Sequence, residues 1–211
     1  MSIPAISLEV PGVRLEDGGA VSVQVEPLPH VLVDTLPRLP RQEAVMVLDA
    51  VMAGNYVYGV RVGEEALDRA EEFLVRGLAE VWRRLRQFGD RRSESPGESR
   101  CRVLFDELGF EPPELQQVIH LPRIGSVRVD FWWDGVICEF DGMVKYTRGL
   151  TGQPAEETVR QEKLREDALR MLDYQVVRLT WADLDDLQVL GQKLIRAGVP
   201  HRAFQRFTAV A

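Results

Sequence analysis

Three of the four carboxylates in the stretch VRVDFWWDGVICEFDG could act together: Asp130, Glu139 and Asp141. The runs Val127–Trp133 and Val136–Phe140 flank an Asp134-Gly135 pair, the strongest short-range hairpin signal, and a type I′ turn is expected there. A two-residue turn sets the register. Trp133 faces Val136, Trp132 faces Ile137, Phe131 faces Cys138 and Asp130 faces Glu139; Val129 then faces Phe140, and Arg128 faces Asp141. Directly opposed carboxylates have Cβ atoms about 5 Å apart and destabilise a sheet by up to about 1 kcal/mol. A shared proton, a cation or a metal ion would offset that cost. A hard divalent cation, Mg²⁺ above all, takes oxygen ligands from one or two carboxylates and water. A solvated acidic patch with Arg128 neutralising Asp141 is the other reading of the same residues.

Side chains alternate along a strand. The predicted core face of the hairpin is Val127, Val129, Phe131, Trp133, Val136, Cys138 and Phe140. The other face carries Arg128, Asp130, Trp132, Ile137, Glu139 and Asp141.

The surrounding elements must position this hairpin. A helix is expected over about 96–108, opened by Pro96 and closed before Gly109, with Glu98 in its first turn. An extended segment over about 115–121 leads into the hairpin; it brings Gln116 or Gln117 within reach of the acidic edge, and its His120 is read as an ordinary strand-end polar residue or a general base. A helix over about 155–173, a strand over 174–180 and a last helix over 181–197 follow, the last opened by a Thr180…Asp183 capping box. The step from the second hairpin strand through a helix to the next strand is a β-α-β crossover, which predicts a mixed sheet with helices on both faces.

The N-terminal part reads as a smaller α+β module. A hairpin is expected around Asp17-Gly18-Gly19, an extended piece at HVLVDTL, a helix over 41–54 ending on Gly54, and an interrupted helix over 63–89. The polar segment GDRRSESPG (89–97) separates the two modules. The domains are therefore 1–93, 94–200 and a tail, 201–211. Arg83, Arg84, Arg86, Arg91 and Arg92 form the most basic stretch, read as a solvated helix end or a phosphate-contacting rim.

The chain has 211 residues, of which 45% are hydrophobic and 28% charged, ordinary values for a soluble domain. No apolar run spans a membrane. The first residues lack the basic and apolar regions of a secretory signal, and two cysteines make no disulfide framework, so a cytoplasmic protein with reduced Cys101 and Cys138 is expected. A net charge of −7 counts against a high-affinity, non-specific nucleic-acid coat, which needs a basic footprint. It does not exclude an enzyme that gathers carboxylates at a metal site.

The set Glu98 in SPGESR, Asp130 in VRVDF, Glu139 and Asp141 in CEFDG, then EKLRED and VVRLTWADL, resembles a family related to the very-short-patch mismatch-repair endonucleases. That family lies within the PD-(D/E)XK, restriction-endonuclease-like superfamily. The resemblance covers roughly residues 94–186. It implies a restriction-endonuclease-like α/β fold, Mg²⁺ or Mn²⁺ held by Asp130 and Glu139, and DNA as substrate. Glu98 would orient a water or ligand. The superfamily's lysine two residues after the glutamate is Asp141 here, and Lys145 stands about where the mismatch-repair group has a histidine. Lys145 or Lys163 would supply positive charge to the developing phosphorane. Arg128 and Arg178 are the candidate DNA contacts, Arg178 having a structural role as its alternative, and homodimerisation is left open. Residues 27–54 more faintly resemble abortive-infection type IV antitoxin-like regulators, which often carry this nuclease-like domain and commonly begin with a winged helix not evident here. A non-catalytic DNA-binding regulator and a plain interaction protein with an acidic surface are the alternative functions.

Overall fold

The structure, a computed structural model, describes residues 5–15, 17–54, 62–121, 125–142, 169 and 172–202. The chain divides into two compact units, Met1–Arg91 and Arg92–Ala211.

In the first unit, β1 (Ile6–Arg14) and β2 (Ala20–Val25) form an antiparallel hairpin, with Ile6 opposite Val25 and Leu8 opposite Val23. The helices α1 (Leu28–Thr35), α2 (Arg41–Ala53), α3 (Glu64–Glu71) and α4 (Ala79–Phe88) follow. The segment expected to be extended is α1: Pro29 sits in its first turn, where a missing N–H costs nothing, and Leu32 and Val33 bury one face. Gly54 closes α2 with φ +80, the left-handed cap that glycine adopts freely. The break near Gly77 separates α3 from α4 through a short 3₁₀ turn, Arg76–Leu78.

The second unit is a four-stranded mixed sheet flanked by helices. Its strands, β3 (Glu114–Leu121), β4 (Gly125–Trp133), β5 (Val136–Phe140) and β6 (Gln175–Leu179), lie in that order. Pairing is antiparallel from β3 to β5, and β5 pairs with β6 in parallel. The parallel step is the crossover expected from the element order. The predicted helix 155–173 lies outside the described residues except for Leu169, Leu172 and Asp173. The expected last helix is broken in two. Asp186 adopts an extended conformation between α6 (Trp181–Asp185) and α7 (Leu187–Arg196), and its carboxylate accepts the N–H groups of Gln188 and Val189.

Two apolar clusters hold the sheet. α5 (Pro96–Glu107), α6 and α7 close one of them against Leu115, Phe131, Trp133, Val136, Cys138, Val177 and Leu179. The other joins Ile119, Leu121, Val129, Ile137 and Leu169, with Val127 and Trp132 packed beside them. Val127 and Val129 thus leave the core face predicted for them. Leu115 pairs with Phe131 and Gln117 with Val129, but Gln116 and Asp130 between them form no pair, and Gln116 has φ +55. That kink turns the outer arm of the β3–β4 ribbon away from α5. The hairpin turn also departs from type I′, since Gly135 has φ +79 and Asp134 is not left-handed.

His201 and Arg202, assigned to the tail by sequence, are anchored. Arg202 donates to the Asp106 carboxylate and to the Asp106 and Gly109 carbonyls.

Candidate functional site

The β4–β5 pairing forms at Trp133↔Val136, Trp132↔Ile137 and Phe131↔Cys138 and goes no further. The expected Asp130↔Glu139, Val129↔Phe140 and Arg128↔Asp141 pairs are not part of the ladder. Instead the Asp130 carboxylate accepts the backbone N–H of Phe140 at 2.9 Å. Two opposed carboxylates would repel across a closed ladder. Here the strands part at that level, and a side chain takes the place of the backbone acceptor.

Both sides of Asp130 are therefore irregular. Toward β3 it faces the left-handed Gln116, and toward β5 it bonds the Phe140 amide. Positive φ is uncommon for a side chain such as glutamine and costs about 1–3 kcal/mol, so its surroundings must hold it there. One such hold is visible: Gln116 Nε2 donates to Glu98 Oε2 at 2.9 Å.

Glu98 is buried, with 7% exposure, at the third position of α5. Ser95 caps the helix by accepting the Glu98 N–H, and its hydroxyl donates to Glu98 Oε1 at 2.7 Å. The Glu94 N–H donates to Glu98 Oε2 at 3.0 Å. The S-x-x-E spacing is that of a capping box, but the Glu98 carboxylate takes the Glu94 N–H and the Ser95 hydroxyl in place of the Ser95 N–H, with Gln116 as a further donor. Burial raises the Glu98 pKa, the hydrogen bonds from Glu94 and Ser95 partly oppose this, and the negative charges of Asp130 and Glu94 add to it. Glu98 is thus near enough to Asp130 to feel its charge, while its oxygens serve the start of α5.

Phe140 is the joint between these parts. A Cβ on Gly97 would stand 1.8 Å from Phe140 Cε1, so only glycine lets the first turn of α5 lie on this ring. Trp181 meets the same ring edge-on at 5.0 Å between centroids. Glu139, one residue earlier, is the register partner of Arg178 in the parallel β5–β6 ladder. The thiols of Cys101 and Cys138 are buried and their pKa values are raised well above the ordinary range, first by burial. Each also feels a carboxylate field: Cys138 that of Asp130 and Glu139, Cys101 that of Glu98 and Asp130.

The predicted site residues therefore fall into three groups. Glu98, Asp130, Glu139 and Arg178 are brought together around the parting of β4 and β5. Asp141 is exposed beyond it and donates its backbone N–H to the Leu179 carbonyl. Arg128 bonds Glu94 at 2.7 Å on the surface. Lys145 and Lys163 lie outside the described residues. His120 is exposed on β3. In the basic stretch, Arg83 and Arg84 pair with Glu80, and Arg86 with Asp68.

Among the described residues, no three His, Cys, Asp or Glu side chains come together to hold a metal ion. Mg²⁺ requires fewer, since water and substrate oxygens complete its shell. Asp130 and Glu139 fit that donor type and number, with Glu98 committed to the α5 cap. Sequence reasoning placed Gln116 or Gln117 within reach of this edge, and Gln116 is the one that reaches Glu98; it missed the left-handed backbone of Gln116 and the roles of Gly97 and Phe140. The Ser95-Pro96-Gly97-Glu98 spacing was a legible signal for the cap, whereas a left-handed glutamine inside a strand has none.

No protein-family model, curated protein or solved structure matches the chain. Among the described residues, no helix is long and apolar enough to cross a membrane.

Proposed function

We propose that the unit Arg92–Ala211 is a restriction-endonuclease-like domain that hydrolyses phosphodiester bonds of DNA with Mg²⁺ or Mn²⁺ as cofactor. One observation carries the reading: β4 and β5 stop pairing where Asp130 and Glu139 stand, with Asp130 anchored to the Phe140 amide. The mixed sheet with a β5–β6 crossover fits this fold, and the neighbouring Arg178 supplies a cation on the register of Glu139.

Asp130 and Glu139 would hold the metal. When bound, it polarises a phosphoryl oxygen and lowers the pKa of water. The protein's own part is positional. The Phe140 N–H and the kink at Gln116 fix the Asp130 carboxylate, and Glu98 holds α5 against the same strands. Arg178, the register partner of Glu139, would balance part of its charge. Asp141 fills the place of the superfamily's lysine, so the cation facing the scissile phosphate would come from Lys145 or Lys163.

A metal titration of the whole protein tests the reading. Wild type is expected to gain thermal stability with Mg²⁺ or Mn²⁺ and to nick or linearise DNA, and Asp130→Asn to lose both while keeping its fold. A wild type that neither gains stability with either metal nor cleaves any nucleic acid would sink it. The engagement of Glu98 by three donors favours a second reading, a non-catalytic DNA-binding regulator on the same fold. That protein would bind DNA equally well after Asp130→Asn and Glu139→Gln.

A further inference from the structure

Among the described residues, the extensive contacts of β1 and β2 are with each other rather than with the helices of their unit. Their register sets Ile6 beside Val25 and Leu8 beside Val23 on one face of the ribbon, and Ser7, Glu9, Ser22 and Gln24 on the other. Ile6, Leu8 and Val23 are apolar, yet 44%, 49% and 43% exposed. A lone two-stranded ribbon is marginal in water, and further strands stabilise it.

The two edges of this ribbon differ. β1 carries Glu9, Pro11 and Arg14, and its register shifts between Glu9 and Arg14. Proline offers no N–H, and charge, proline and bulges are the devices that keep an edge strand from pairing. β2 has none of them: it reads AVSVQV, without charge, proline or glycine. Short runs of that composition pair readily with copies of themselves. Among the described residues β2 is paired with β1 alone. With one edge blunted and one open, the ribbon can add one more ribbon and then stop. Two-fold association through β2 does this, whereas open-ended, chain-like addition would need the β1 edge too.

We infer that two copies of this chain associate by antiparallel pairing of β2 with β2, which makes one four-stranded sheet in the order β1-β2-β2-β1. Opposed residues in an antiparallel pair lie on the same face. Of the registers that keep both apolar faces on one side, the one centred on Val23 matches the most valines. Val23 then meets Val23 of the other copy on the flank that Leu8 leaves open, and Val21 meets the other copy's Val25. On the polar face Ser22 meets Gln24. Glu26 falls opposite Ala20, whose neighbour on β1 is Arg14, so the acid ends beside a cation rather than another acid. Each copy carries a net charge of −7, and this uncharged edge lets two of them approach. The inference uses only the first unit and stands or falls apart from the nuclease reading.

Sedimentation velocity of the whole protein from about 1 to 300 µM tests it, a range suited to an interface below the standard size. Wild type should pass from monomer mass toward twice that mass as concentration rises. Ser22→Lys with Gln24→Lys sets lysine against lysine twice across the seam and should weaken association at least about tenfold. Ser22→Lys with Gln24→Glu sets lysine against glutamate and should keep the dimer. Both positions are exposed, so the ribbon tolerates either pair. If the paired lysines lower the melting temperature of the dilute protein, cysteine variants decide. Mild oxidation should join Val23→Cys to its own copy, because opposed Cα atoms lie about 4.5–5.5 Å apart, within disulfide reach. Val21→Cys, four residues along the seam from its copy, should stay unjoined, and the native Cys101 and Cys138 are buried. A wild type that stays monomeric throughout would overturn the inference and leave this edge to a strand of another protein. A dimer unaffected by the paired lysines in a folded variant, or joining of Val21→Cys as readily as Val23→Cys, would overturn it as well.

Discussion

The carboxylate of Asp130 accepts the backbone N–H of Phe140 at 2.9 Å, at the level where β4 and β5 cease to pair. This bond gives Asp130 two separable duties, fixing β5 and, on the proposed function, holding a metal. Asparagine keeps an acceptor oxygen and loses the charge; alanine loses both. Asp130→Asn should therefore stay within about 1 kcal/mol of wild type in urea unfolding, while Asp130→Ala falls about 1–3 kcal/mol because the Phe140 amide loses its partner. Metal-induced stabilisation should vanish in both. Equal stability losses for the two would mean that the bond contributes nothing.

Gly97 and Phe140 are matched by shape. A methyl group at residue 97 would meet the Phe140 ring at 1.8 Å. Gly97→Ala should cost at least about 1–3 kcal/mol, the usual effect of overpacking. In a double-mutant cycle, Phe140→Leu should recover part of that loss, a coupling that contacting residues show and distant ones do not. Additive effects within about 0.5 kcal/mol would refute the contact as the cause.

Gln116 carries backbone strain and a side-chain bond at once. Gln116→Gly loses the bond to Glu98 but relieves the left-handed conformation; Gln116→Ala loses the bond and keeps the strain. The alanine variant should be less stable than the glycine variant by about 1 kcal/mol. Chemical denaturation of the two checks this, and the reverse order would show that φ is not maintained in solution.

The pH dependence of stability should carry opposite signatures from two acids. Burial, abetted by Asp130 and Glu94, raises the pKa of Glu98. A group whose folded pKa is raised stabilises fully below its unfolded value, and that contribution is lost as pH rises through the folded value. Relative to Glu98→Gln, wild type should thus lose stability as pH climbs from the ordinary glutamate range upward. Asp183 behaves oppositely. Burial disfavours its charge, but the Thr180 N–H, the Lys193 ammonium at 3.0 Å and the Thr180 hydroxyl outweigh this and lower its pKa. Its contribution is present above the unfolded aspartate pKa and lost as pH falls through the lowered folded value. Asp183→Asn should flatten the acid limb of the stability curve. Urea midpoints from pH 3 to 7 measure both, and parallel curves for all three proteins would contradict the assignments.

Much of this molecule is local and was legible as such. Alternation around Asp134-Gly135 predicts β4 and β5, and three register pairs form as a two-residue turn dictates. The helical periodicity of 41–54, the Pro96 start of α5 and the Thr180 cap depend on residues within one turn, and they stand where their residue types place them. The errors came where a single run of pattern hides a backbone change. Residues 181–197 have continuous helical periodicity, yet Asp186 turns the chain out to cap the next helix. The segment HVLVDTL, with its run of Val31, Leu32 and Val33, reads as a short extended piece, yet Leu32, Val33 and Leu36 bury together as a helix ending in a tight turn.

By itself the sequence determined the strands of the second unit and their succession along the chain, and it put Asp130 and Glu139 at the same end of one hairpin, because side-chain alternation and a short turn act over a few residues. Tertiary structure decided what those carboxylates face. Gln116 comes from the preceding strand, Glu98 and Gly97 from a helix more than thirty residues away, and Arg178 from a strand across the crossover. Alternation extended across the hairpin predicts Asp130 locked opposite Glu139. The folded chain opens the ladder instead, because repulsion between the two charges is relieved once the Phe140 amide, held beneath α5, offers Asp130 a donor.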